Sequence, residues 1–105
     1  MALDVGKGIA SVLVARQIDP GVTGPAVGIV DFEFQPATLT IEPGQTVTWV
    51  NCGDQAHTTT SDGGVWDSDL LFPGETFTRT FGAAGTFPYH CTPHPVMQGT
   101  IIVEP

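Results

Sequence analysis

The stretch Gly85–Val103 reads GTFPYHCTPHPVMQGTIIV, two extended segments with a loop between them. Phe87–Cys91 is aromatic and Gly99–Val103 is rich in β-branched residues, as strands are. Between them a thiol, an imidazole and a thioether follow one another as Cys91, His94 and Met97, spaced C-x2-H-x2-M. Pro93 and Pro95 bracket His94 and fix the backbone on both sides of it. A loop this short can curl its three side chains around one point, and its prolines stiffen it.

Working outward, the same strand-and-turn grammar continues. Thr46–Val50 (TVTWV) is a β-branched and aromatic strand with Val47 and Trp49 on one face. Leu39 and Ile41 alternate with Thr38, Thr40 and Glu42 before a turn at Pro43–Gly44. Ile29, Phe32 and Phe34 open an alternating stretch that Pro36 breaks. Thr58–Thr60 reads as a further short strand and Ser61–Gly64 as a turn. Pro73–Gly74 turns into Thr76–Phe81, where Phe77, Arg79 and Phe81 share a face. Seven or eight short strands with little helix predict an all-β, single-domain Greek-key β-sandwich. Trp49, Phe32, Phe77, Phe81 and Phe87 are the expected aromatic core. Trp66 and Phe72 fit either the core or, for Phe72, an apolar rim around the His94 loop. The domain is expected over 26–105. Residues 1–25 form an N-terminal extension, where Val5, Ile9, Val12 and Leu13 have helical spacing but Gly6 and Gly8 oppose a helix. Strand and short helix both remain open there.

Charge narrows the function. Eleven acidic residues face only Lys7, Arg16 and Arg79, for a net charge of −8. Such a chain repels phosphate backbones, which argues against nucleic acid, and it lacks a basic cluster for an anionic membrane. No apolar run approaches the roughly 20 residues of a membrane span. Ile9–Ala15 is apolar but short, and Asp4 is foreign to a positively charged leader, so no intact signal peptide is read. The acids, Asp67, Asp69 and Glu75 among them, read as solvated surface charge that serves solubility or steers a basic partner.

The donor types carry the chemistry. Thiolate and thioether suit Cu(I), imidazole suits both copper oxidation states, and two His with one Cys and a weak axial Met make a blue-copper electron-transfer site. The chain holds this set once, with His57 beyond the Thr46–Val50 strand as the second imidazole. A Cys52–Cys91 disulfide would consume the thiolate, so Cys52 is expected as a free, partly buried thiol. His90 neighbours Cys91 on a strand and should face the other way.

In these residues the chain resembles the cupredoxins of the plastocyanin/azurin group, and its Cys-Thr-Pro-His-Pro-x-Met loop resembles that of the amicyanins. The likeness runs through PGQTVTWVN (43–51), AHTTTSD (56–62), VWDSDLLFPGETFTRTF (65–81) and the 85–103 segment. It implies one type 1 copper per chain, held by His57, Cys91, His94 and Met97. It implies a periplasmic or otherwise extracytoplasmic one-electron carrier, and a monomer is expected. Its redox donor and acceptor would dock near His94, Pro93, Pro95 and Val96. Two positions depart from the pattern. Thr58 stands where many relatives place an asparagine that ties the two ligand loops, and Cys52 stands where a polar residue is usual. A copper enzyme needs further histidine ligands, and only His90 is spare. A copper carrier or chaperone on the same sandwich is the alternative reading, and a metal-free interaction domain is a third.

Overall fold

The computed structural model describes residues 24–105. The expectations for 1–25 therefore lie almost wholly outside the described residues. Eight strands form two four-stranded sheets, and no helix occurs among the described residues. They are β1 (Ala26–Val30), β2 (Glu33–Gln35), β3 (Thr38–Ile41), β4 (Thr46–Asn51), β5 (Thr60–Ser61), β6 (Thr76–Thr80), β7 (Gly85–His90) and β8 (Gln98–Val103). One sheet has the order β2-β1-β4-β6 and the other β3-β8-β7-β5. Only β1–β2 and β7–β8 are paired neighbours in sequence; every other connection crosses between the sheets. Two pairings are parallel, β1 with β4 and β3 with β8.

Period-two patterning explains the layers. Leu39 and Ile41 of β3, Val47 and Trp49 of β4, and Ile101 and Val103 of β8 point inward, while Thr40, Thr48 and Ile102 between them are half-buried. Burying each such large side chain contributes roughly 1.5–3 kcal/mol before chain entropy is counted. Trp66 resolves to the core, where Trp49, Trp66, Phe81 and Tyr89 pack together. Trp49 meets Tyr89 edge-on at 5.5 Å and Trp66 meets Phe81 edge-on at 5.4 Å, the geometry that ring quadrupoles favour. Phe77 and Phe87 pack against this cluster from its margin. The Arg79 guanidinium caps it, 5.4 Å from the Trp66 ring and 5.2 Å from Phe81.

One glycine is fixed by this packing. Gly99 pairs with Tyr89 across β7 and β8, and a Cβ at Gly99 would lie 2.5 Å from the Tyr89 ring.

Phe32 departs from the sequence expectation. Its sequence pattern predicts a core position, yet it is 47% exposed. The reason is the β1–β2 hairpin, whose register pairs Val30 with Glu33 and leaves Asp31–Phe32 as the turn. The apparent alternation through Ile29, Phe32 and Phe34 spans a chain reversal. Ile29 and Phe34 are buried partners, and Phe32 sits at the tip between them. Phe72 lies outside the core, exposed on the turn before β6.

Candidate metal centre

Three connections meet at one end of the sandwich: the β1–β2 turn, the segment after β4, and the β7–β8 loop. Cys91 follows the last residue of β7 and is fully buried. The loop closes on itself, with Met97 N–H donating to the His94 carbonyl at 2.9 Å and Cys91 N–H to the Met97 carbonyl at 3.1 Å. Met97 is buried and His94 half-buried, while Pro93, Pro95 and Val96 are exposed.

His57 comes from the other side and is fully buried. Its backbone pairs with Leu71 in both directions, at 3.0 and 2.8 Å. Asn51 braces the approach to it. The Asn51 amide donates to the carbonyls of Gln55 and Leu71, both at 2.8 Å, and its oxygen accepts from Gly53 N–H at 2.9 Å.

The donors converge. Cys91 Sγ lies 3.6 Å from His57 Nδ1 and 3.8 Å from His94 Nδ1, and one ligand atom from each residue lies within 4.8 Å of the others. First-row ions sit about 2.3 Å from thiolate sulfur and about 2.0 Å from imidazole nitrogen, which places sulfur and nitrogen roughly 3.7 Å apart in a trigonal plane. The observed spacings fit one small ion between all three residues, and a thiolate with two imidazoles is a donor set that suits copper.

Thr58 links the two halves of the site. Its N–H points at Cys91 Sγ, 3.4 Å away. Its Oγ1 accepts from Thr92 N–H at 2.9 Å and shares a hydrogen bond with Thr60 Oγ1 at 2.8 Å. The hydroxyl therefore ties the His57 segment to the Cys91 loop. The sulfur's backbone donor is Thr58, on the strand-like run beyond His57.

His90 stays out of the cluster and bonds Asp62 through Nδ1. Cys52 and Cys91 are both free, and partial burial pushes the Cys52 thiol above its ordinary value.

Sequence reading missed Asp31, grouped there with the solvated acids. Asp31 Oδ1 bonds His57 Nε2 at 2.6 Å, and Oδ2 accepts from Asp54 N–H at 2.9 Å. The hydrogen bond with His57, followed by that from Asp54, holds this carboxyl below its usual range. The two residues stand 26 positions apart, and nothing in the sequence links them.

Comparison with known proteins agrees with this geometry. Residues 25–104 match the family of copper binding proteins of the plastocyanin/azurin type. Amicyanin from Paracoccus versutus is 39% identical over 84 residues, covering 74% of this chain and 63% of that protein. Halocyanin from Natronomonas pharaonis is 40% identical over 93 residues, covering 79% of this chain and 54% of the other. The chain thus spans just under two thirds of the Paracoccus protein it matches. A solved Cu(I) structure of an amicyanin methionine-to-alanine mutant superposes with a TM-score of 0.74 at 31% identity, over 80% of this chain and 87% of that one. A purple cupredoxin from Nitrosopumilus maritimus gives a TM-score of 0.72 at 26% identity, over 77% of this chain and all of the other. The chain belongs to the plastocyanin/azurin family of copper-binding proteins.

Proposed function

We propose that this chain is a one-electron carrier with a single type 1 copper site, which His57, Cys91, His94 and Met97 would hold. The observation that carries the reading is the convergence of two imidazole Nδ1 atoms on one buried thiol, at 3.6 and 3.8 Å. Copper bound there would supply the redox chemistry, one electron gained or lost between Cu(II) and Cu(I).

The chain's own residues do the rest. Burial of Cys91, His57 and Met97 excludes water from the donors. The ties through Thr58 and Asn51 hold both ligand segments in one arrangement, which keeps rearrangement on electron transfer small. His94 is the exit, because it alone of the three residues that offer a nitrogen or thiol donor is half-buried rather than buried. Pro93, Pro95 and Val96, the last 83% exposed, surround it with an apolar contact of the kind that suits brief redox encounters. Amicyanin, plastocyanin and halocyanin among the relatives support an extracytoplasmic carrier acting between a protein donor and a protein acceptor. No feature of the site asks for more than a monomer.

The test is titration of the purified protein with Cu(II), both thiols reduced. An intense visible thiolate-to-copper band should saturate at one copper per chain, bleach with ascorbate and return with oxidant. No band would overturn the reading. Rapid surrender of copper to a chelator in both oxidation states would favour the copper-carrier alternative. Substituting Met97→Leu should raise the midpoint potential, since the thioether favours Cu(II) over a bare apolar contact; an unmoved potential would remove Met97 from the site.

A further inference from the structure

His57 and His94 hold their outer nitrogens in different ways. Among the described residues, His94 has no side-chain hydrogen bond apart from its approach to the Cys91 sulfur. His57 is fully buried, and its Nε2 meets a carboxylate oxygen of Asp31 at 2.6 Å. Asp31 is itself fixed. Its second oxygen takes the Asp54 N–H at 2.9 Å, and it occupies the turn of the β1–β2 hairpin. Gly53 completes the cradle, since a Cβ there would stand 2.3 Å from Asp31 Oδ1.

An ionised carboxylate only accepts hydrogen bonds, so the proton between these groups belongs to His57 Nε2. That fixes the tautomer and leaves the Nδ1 lone pair facing Cys91 Sγ, where the ion would sit. A carboxylate behind a ligating imidazole also makes it a stronger donor. A stronger donor, with a fixed negative charge behind it, favours the doubly charged ion over the singly charged one.

We propose that Asp31 is the positioning residue of this copper site: it locks His57 in the ligating tautomer and biases the site toward Cu(II). The proposal rests on the copper reading above. It assigns a redox-tuning role to the β1–β2 turn, which contributes no ligand.

The experiment compares midpoint potentials of the copper-loaded full chain and of Asp31→Asn, Asp31→Ala and Glu42→Gln. Glu42 is an exposed acid beside the turn at the opposite end of the sandwich and controls for loss of one negative charge. Asp31→Asn should keep the visible band but lose about tenfold of its preference for Cu(II), a rise of about 59 mV for one electron. Its copper affinity should fall about 10–100-fold. Asp31→Ala should shift at least as far, and Glu42→Gln should not move. Asp31 variants that shift no more than Glu42→Gln would overturn the proposal while leaving a blue wild-type protein, and hence the copper reading, intact. A second measurement needs no variant. In Cu(I)-loaded wild type, the His57 ring N–H should appear by NMR on Nε2 and exchange slowly with water. A proton on Nδ1, or rapid exchange, would overturn it equally.

Discussion

Tyr89 and Cys91 stand two residues apart in the chain, yet they belong to regions built on different principles. Around Tyr89 the molecule is held by shape. Phe34, Trp49 and Trp66 pack on its ring, and neither the Tyr89 hydroxyl nor the Trp49 indole N–H has a hydrogen-bond partner among the described residues. Around Cys91 it is held by hydrogen bonds. Thr58, Thr60, Thr92, Asn51 and Asp31 form a chain of short polar contacts that joins three connections. The difference assigns stability to the first region and ligand placement to the second. A sandwich packed by its aromatic centre can carry a polar, tunable end without relying on it to fold.

Substitutions that act on one region only can break this division. The largest expected effect is at Gly99→Ala, whose added methyl has no room beside the Tyr89 ring and should cost about 1–3 kcal/mol. Urea unfolding of the apo protein should show that loss, while the copper-loaded folded fraction keeps its visible band. A stable variant with an altered spectrum would mean that core and site are not separable.

A smaller effect is expected at Thr58→Val, which keeps the shape but removes the acceptor for Thr92 N–H. Apo stability should fall by about 1 kcal/mol, since Thr92 itself is exposed. Copper should dissociate faster, and Thr58→Ser should restore the wild-type rate. Equal rates in Thr58→Val and wild type would show that the loops hold their places without this tie.

The smallest effect is at Tyr89→Phe. The hydroxyl it removes makes no hydrogen bond among the described residues, so neutral-pH stability should change by less than about 1 kcal/mol. The difference should emerge in alkali. Burial raises the Tyr89 phenol far above its ordinary value near 10. Above that pH the unfolded chain releases the proton while the folded chain retains it, so stability falls as pH rises. Tyr89→Phe should flatten that fall in urea denaturation between pH 9 and 11. Tyr89 is the chain's single tyrosine, so its ionisation can be followed directly by ultraviolet absorbance. Matching slopes would show the ring to be less enclosed than its packing implies.

What the sequence alone determined was local. Alternation in Thr38–Ile41 and Thr46–Asn51 marked strands and their buried faces, because side chains on a strand point to opposite sides in turn. The spacing of Cys91, His94 and Met97 marked a ligand loop, because donors so close in the chain can meet without help from the fold. His57 was legible through its motif. The tertiary structure decided whatever joins distant segments: the parallel pairing of β1 with β4 and of β3 with β8, the Thr58 N–H on the sulfur, and Asp31 behind His57. It also turned Phe32 outward, where its ring lies 5.0 Å from that of His94. Residue patterns report burial and turns along one stretch of chain. Which turn arrives beside which ligand is fixed by strand register and by the packing of two sheets, and that information is spread over the whole sandwich.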